Sequence, residues 1–88
     1  MMTDKKYEIR EDGHIVALRN FGDVRAGDVG GVIRGEQNLS HDGDCWVYAQ
    51  AIVEGVSVHI TGNARVKGGI FYGGIFYGGI FRGGSFYG

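Results

Sequence analysis

A phenylalanine recurs every five residues near the end of the chain, at Phe71, Phe76, Phe81 and Phe86. Each ring follows two glycines and an isoleucine or serine, in the successive pentads GGIFY, GGIFY, GGIFR and GGSFY. A strict short repeat is typical of a solenoid, in which each repeat supplies one strand and one corner. The glycine pair lets the backbone turn at the corner, because glycine has no Cβ. The pentads therefore predict coils of short strands that place large side chains in the interior.

The alternation of side chains along a strand decides which part of each pentad faces outward. With the phenylalanines inside, the flanking isoleucines and tyrosines lie outside. Such an apolar belt on a soluble protein indicates contact with another subunit or a ligand. The predicted oligomer interface consists of Ile70, Ile75, Ile80, Phe86 and Tyr87. The four pentads fill twenty residues, which predicts one turn of a four-sided coil.

Three alternatives to this arrangement are open on the sequence alone. In the opposite register, the isoleucines and tyrosines lie inside and the phenylalanines outside. A glycine- and aromatic-rich tail can also be disordered on its own and aggregate through β-structure. In a third arrangement, the pentad segments of three chains wind around each other as a fibrous prism.

The residues before the pentads also predict β-structure. Tyr7 and Ile9 alternate with charged residues, and Asp12-Gly13 is a strong turn signal, so an N-terminal hairpin is expected to cap the core. Between Trp46 and Val66, small and branched residues recur about six apart, which favours a three-sided left-handed β-helix. The chain is predicted to be a single domain, 1–88, with a hairpin cap and Gly-rich stretch at 1–28, hexapeptide-like coils at 29–67 and a GGxFx coil at 68–88. The predicted fold class is all-β, a short β-solenoid with an N-terminal β-hairpin cap.

Composition excludes several function classes. The 88 residues carry nine Lys or Arg and ten Asp or Glu, scattered along the chain, so no basic surface for nucleic acid is predicted. The one cysteine, Cys45, excludes an internal disulfide framework. No apolar run approaches the ~20 residues of a membrane span, and the polar N-terminus has no hydrophobic stretch of a secretion signal. We therefore expect a cytoplasmic protein with no membrane partner and no cofactor.

Part of the chain resembles a known family. The runs Ala17–Gly31 and Asn38–Tyr48, followed by Gly62-Asn63-Ala64-Arg65-Val66, look like the start of a bacterial and phage family of β-helical proteins commonly labelled hexapeptide-repeat acyltransferases. The resemblance covers roughly Ile15 to Val66. It implies a left-handed β-helix behind a small N-terminal cap, and it leaves association with a virion open. It implies little about activity, because that label depends on fold and fold does not fix function.

His59 is the best candidate for a catalytic residue. Its neighbours Val58 and Ile60 are expected to face inward, which turns the imidazole outward, where a general base for acyl transfer would lie. An exposed histidine without chemistry is the simpler interpretation. His14 and His41 are predicted to be surface residues, and Trp46 is predicted to lie under the N-terminal cap.

Metal and nucleotide sites are not predicted. The group His41, Asp42, Asp44 and Cys45 matches no zinc spacing and lacks the rest of a calcium loop. The glycines of the chain follow neither the dinucleotide fingerprint nor the Walker pattern.

Three functions follow as hypotheses. The first is a non-enzymatic β-solenoid that self-assembles as a trimer, or as a dimer through its C-terminal turn, and acts as a binding or structural module. The second is sequestration of a small ligand, for example a signalling nucleotide, in pockets between subunits lined by Tyr72, Tyr77, Arg82 and Arg65. The third is acyl transfer with His59 as the base.

Overall fold

The computed structural model describes residues 5–87, and these residues form a β-solenoid of about three turns with one short 3₁₀ helix and no α-helix. The all-β prediction is confirmed. The elements in chain order are β1 Tyr7–Ile9, β2 His14–Ala17, β3 Val29–Val32, the 3₁₀ helix Glu36–Asn38, β4 Trp46–Val53, β5 His59–Ile60, β6 Arg65–Phe71, β7 Ile75–Phe76, β8 Ile80–Phe81 and β9 Ser85–Phe86.

The predicted N-terminal hairpin is present. Strands β1 and β2 pair antiparallel, with Tyr7 opposite Ala17, and the turn between them places Gly13 at φ 90°. This left-handed conformation favours glycine, as the Asp12-Gly13 signal predicted. Strand β2 then pairs antiparallel with β3, and β3 pairs parallel with β4. The hairpin thus continues the sheet of the solenoid at its N-terminal end.

The remaining strands stack in parallel, coil upon coil. Strand β4 pairs with β6, which pairs with both β8 and β9, while β5 pairs with β7. These registers align the inward side chains in three columns. Two columns change from aliphatic residues to phenylalanine in the last coil, and the third holds phenylalanine in the last two coils. The columns are Leu39, Ile60 and Phe76; Val47, Val66 and Phe81; and Val53, Phe71 and Phe86.

The pentad coil has three sides, so the prediction of a four-sided coil is wrong. Val66 pairs with Phe81 and Phe71 with Phe86, which makes one turn fifteen residues, or three pentads, long. The preceding turn is longer, since Trp46 pairs with Arg65 nineteen residues on. Each side of the pentad coil is shorter because the second glycine of each pair adopts a positive φ, between 81° and 94°, and completes the corner within one residue. Strand β6 includes Lys67, the last residue of the predicted hexapeptide-like coils.

The phenylalanines lie inside, as the favoured register predicted. Phe71 is fully buried, and its ring centroid lies 5.5 Å from that of Phe76, 4.8 Å from that of Phe81 and 4.4 Å from that of Phe86. The last three rings are half-buried and touch one another edge to face at 5.8 to 6.2 Å. Edge-to-face contacts of this length are favourable for aromatic rings. We call these three half-buried rings, Phe76, Phe81 and Phe86, the aromatic floor of the solenoid.

Candidate interaction surface and histidine sites

The outward side chains of the pentads form an exposed apolar surface. Ile75 is 61% exposed, and Tyr77 and Tyr87 are each 73% exposed. We call the exposed set the pentad surface, which consists of Tyr72, Ile75, Tyr77, Ile80 and Tyr87. Ile70 and Phe86, also predicted for an interface, are half-buried. Between residues 68 and 87, Arg82 is the only Lys, Arg, His, Asp or Glu in the sequence.

Strand register concentrates this surface at the C-terminal end of the solenoid. Ile75 pairs with His59 of the coil above, and Ile80 pairs with Arg65. On these two sides the outward position changes from a polar to an apolar residue between one coil and the next, whereas on the third side Ile70 pairs with Ser85. Exposed apolar surface of this kind is typical of interaction sites.

The four residues predicted to bind a ligand are not gathered in one protomer. Tyr72, Tyr77 and Arg82 follow the ends of β6, β7 and β8, and so lie at three successive corners of the coil. Tyr72 stacks instead on Tyr87, with ring centroids 4.9 Å apart and planes 8° from parallel. A pocket between subunits lined by these residues and Arg65 stays a prediction.

His59 lies where the sequence predicted. The residue is exposed on β5, and its neighbours Val58 and Ile60 are fully buried. Among residues 5–87, no side-chain hydrogen bond or ion pair involves its imidazole. A role for His59 in acyl transfer stays a prediction.

His14 and His41 are more deeply placed than the surface positions predicted for them. The Nδ1 of His14 lies 2.9 Å from the carbonyl oxygen of Gly30. The His41 ring stacks on Tyr7 at 4.2 Å, and its Nδ1 accepts a hydrogen bond from the Lys6 N–H at 3.0 Å. Its Nε2 donates to Glu36 at 2.8 Å. Both histidines are half-buried because they connect the hairpin to the coils.

Lys6 is a buried lysine that sequence reasoning missed. Its Nζ donates to the carbonyl oxygens of Cys45 at 2.6 Å and Gly43 at 3.2 Å, and it lies 4.8 Å from the ring centroid of Phe21. Burial lowers the pKa of Lys6 and raises the pKa of the Cys45 thiol, whose sulfur lies 3.4 Å from Nζ. A buried thiol with a raised pKa is a poor nucleophile. The hydrogen bonds of Lys6 Nζ connect the residue before β1 to the segment before β4.

Trp46 lies under the N-terminal cap, as predicted. Its side chain is buried, and its ring contacts Phe21 at 5.2 Å and Tyr7 at 6.3 Å, both edge to face.

Within residues 5–87, no group of three or more His, Cys, Asp or Glu side chains is placed to hold a metal ion. No helix of that part of the chain is long and apolar enough to cross a membrane.

We expect the Tyr7 hydroxyl to make the protein sensitive to alkaline pH. Burial raises the pKa of Tyr7 well above its ordinary value of 10.0, and the hydroxyl donates to the Leu39 carbonyl oxygen at 2.6 Å. The Tyr7 hydroxyl stabilises the fold fully below pH 10. This stabilisation is lost as the pH rises further, because the hydroxyl has a lower pKa in the unfolded chain and loses its proton there first.

The measurement is urea unfolding between pH 8 and pH 11. Tyr7→Phe should lower the free energy of unfolding at pH 8 by about 1 kcal/mol, the typical value of one hydrogen bond, and should flatten its decline toward pH 11. An equal decline in wild type and Tyr7→Phe would contradict the assignment.

Stacked parallel coils with branched aliphatic columns define a β-solenoid. An Escherichia coli (strain K12) protein named "uncharacterized acetyltransferase YdcK" is 35% identical over 72 residues, a match that covers 73% of this chain. The chain spans 22% of the length of that protein. No family model matches the sequence. The fold and this similarity both fit a hexapeptide-repeat-like family, which confirms the resemblance predicted from the sequence.

Proposed function

We propose that this protein is a self-assembling β-solenoid that acts as a binding or structural module. The observation that carries the proposal is the pentad surface, an apolar belt around the C-terminal coils on which Ile75, Tyr77 and Tyr87 are each more than half exposed. Exposed apolar patches on soluble proteins mark interaction sites. Only one charged side chain, Arg82, lies in the same segment to oppose association.

Burial of apolar surface between copies contributes roughly 25 cal/mol for each Å² removed from water. Of the nine large hydrophobic residues that are exposed in the described part of the chain, five belong to the pentad surface, and the others are Leu18, Val29, Ile52 and Val56.

Replacing Ile75 with aspartate should break the assembly. A carboxylate at this exposed position would have to be desolvated at the interface, which disfavours association strongly. Light scattering after size-exclusion chromatography should give an oligomer for wild type and a monomer for Ile75→Asp. The matched control is Val56→Asp, because Val56 is 67% exposed but lies outside the pentads, and this variant should keep the wild-type mass.

The far-ultraviolet circular dichroism of Ile75→Asp should match that of wild type, since the side chain faces outward. An unchanged mass for Ile75→Asp, or a monomeric wild type at high micromolar concentration, would refute the proposal.

The name of the similar E. coli protein supports a second candidate function, acyl transfer. In this reaction His59 would take a proton from an acceptor hydroxyl or amine, which attacks the thioester of an acyl-CoA and releases the CoA thiol. The exposed imidazole on β5 is open to such an acceptor. Isothermal titration with acetyl-CoA tests this function. Absence of binding at millimolar acetyl-CoA would remove it, and turnover that persists in His59→Ala would remove His59 as the base.

A further inference from the structure

The side chain of Lys6 ends among three hydrogen-bond acceptors in the segment before β4. Its Nζ donates to the carbonyl oxygens of Cys45 at 2.6 Å and Gly43 at 3.2 Å, and it lies 3.4 Å from the Cys45 sulfur. The Cys45 thiol can itself donate to the carbonyl oxygens of Ser40 and Ile60, at 3.5 and 3.6 Å, so its sulfur is free to accept from Nζ. The three acceptors match the three N–H groups of one ammonium.

The positive charge of Lys6 is held here by dipoles and an aromatic ring. Within residues 5–87, no carboxylate forms an ion pair with Lys6. The centroid of the Phe21 ring lies 4.8 Å from Nζ, which is within the range of a cation–π contact. Because the Lys6 side chain is fully buried, these contacts replace the water that would surround an exposed ammonium.

We call this group the ammonium cradle, which consists of the carbonyl oxygens of Gly43 and Cys45, the Cys45 sulfur and the Phe21 ring. The next coil holds the cradle in place. The Cys45 N–H donates to the carbonyl oxygen of Gly62 at 3.0 Å, and Gly43 turns the backbone at φ 73°. A Cβ at Gly43 would collide with the same Gly62 oxygen, so the corner fits closely on the coil. The cradle is therefore formed without help from the Lys6 side chain.

The backbone of Lys6 is also held independently of its side chain. Its N–H donates to the Nδ1 of His41 at 3.0 Å, and its carbonyl oxygen accepts from the Leu18 N–H at 2.8 Å. Truncation of the Lys6 side chain should therefore keep the hairpin on the coils and leave a cavity with the shape of an alkylammonium chain.

We propose that the ammonium cradle is a binding site for a primary ammonium ion, and that the Lys6 side chain is its built-in ligand. The site does not depend on self-assembly. A primary ammonium is the ligand class that fits, because it supplies three N–H donors at the end of a narrow apolar chain. In the wild type, the attached ammonium excludes free amines, since its effective concentration at the site is high.

The test is to supply the missing ammonium to Lys6→Ala. The n-propylammonium ion contains the atoms that this substitution removes. At about 0.1 M it should raise the melting temperature of Lys6→Ala by about 4 °C or more, because a ligand that binds the folded state stabilises it. Tetramethylammonium carries the charge without N–H donors, and n-propanol carries the chain without the charge. At the same concentration, each should shift the melting temperature by less than about 1 °C.

Two variants serve as controls. Lys5 is the matched residue, because it lies next to Lys6 but has a 45% exposed side chain that pairs with Glu36. Lys6→Met fills the cavity with an uncharged chain of similar length. We expect n-propylammonium to leave the melting temperatures of Lys5→Ala, Lys6→Met and the wild type unchanged.

A measurement on the wild type does not depend on whether Lys6→Ala folds. In nuclear magnetic resonance spectra near neutral pH, the ammonium protons of Lys6 should exchange with water at least about tenfold more slowly than those of Lys5, because buried hydrogen-bonded protons are protected.

Several results would overturn the proposal. These are an equal shift of Lys6→Ala with tetramethylammonium or n-propanol, an equal shift of Lys5→Ala with n-propylammonium, and Lys6 ammonium protons that exchange as fast as those of Lys5. If Lys6→Ala is unfolded on its own, n-propylammonium should restore the circular dichroism of the wild type. Failure to restore it, or failure to stabilise a folded Lys6→Ala, would also show that the cradle is not an ammonium site.

Discussion

Phe71→Ala is expected to lower the free energy of unfolding by about 3 to 5 kcal/mol, a large part of the total stability. Truncating a buried phenylalanine costs about 3 to 5 kcal/mol, against about 5 to 15 kcal/mol for the total stability of a typical domain. Phe71 is fully buried, and its ring contacts all three rings of the aromatic floor, so its loss leaves a cavity where the three columns meet. Urea unfolding followed by circular dichroism measures the loss.

Phe86→Ala is the control for Phe71→Ala, because Phe86 occupies the same column one coil further on and is only half-buried. Phe86→Ala should lower the free energy of unfolding by less than half as much. Equal losses of unfolding free energy for the two variants would contradict the assignment of Phe71 to the interior and of Phe86 to the last coil.

The second large effect is expected for Asn38→Ala, with a loss of about 3 kcal/mol or more. The Asn38 amide is fully buried, and its Nδ2 donates to the carbonyl oxygens of Val58 at 2.9 Å and Gly55 at 3.1 Å. Its Oδ1 accepts hydrogen bonds from the N–H groups of Arg34 at 2.8 Å and Gly35 at 3.1 Å. Alanine would leave these groups without partners, and each buried unsatisfied group costs about 1 to 3 kcal/mol.

Two further variants make this prediction specific. Asn63 is the control, because its exposed side chain accepts one long hydrogen bond, from the Asp44 N–H at 3.4 Å, so Asn63→Ala should cost less than about 0.5 kcal/mol. Asn38→Asp keeps Oδ1 but replaces the donor amide with an acceptor that faces two carbonyl oxygens. It should therefore destabilise the fold as much as Asn38→Ala does. A stability close to wild type for Asn38→Asp would contradict the assigned hydrogen bonds.

Much of the fold follows from local pattern in the sequence. The Asp12-Gly13 turn predicts the hairpin because its residues suit the positive φ found at Gly13. The phenylalanine of each pentad predicts the inward face because strand alternation has only two choices, and the phenylalanine ring fills the interior. The handedness of the winding stays a prediction.

The number of sides in the pentad coil does not follow from the sequence. A five-residue side fits a triangle or a square equally well, since each corner uses the same glycine pair. The stacking determines the number of sides, because β6 belongs to a coil with three sides and β8 and β9 pair with it directly. The number of sides therefore depends on a long-range contact and not on the local repeat.

Buried polar residues were the hardest part of the site to predict. Lys6 lies next to another lysine in a polar N-terminal segment, and lysine is almost never fully buried without partners. The partners are backbone carbonyls of Gly43 and Cys45, far along the chain, and no side-chain pattern marks them. The outward position of His59, by contrast, follows from its two apolar neighbours, because these occupy the interior.

The fifteen-residue turn imposes a rule on changes in length. Three added pentads would lengthen the stack by one rung and return every outward side chain to its original side. One added pentad would instead rotate the terminal face by a third of a revolution relative to the N-terminal hairpin. Copy number variation in this repeat, whether natural or engineered, would therefore set the angle at which the molecule presents its end as well as its height.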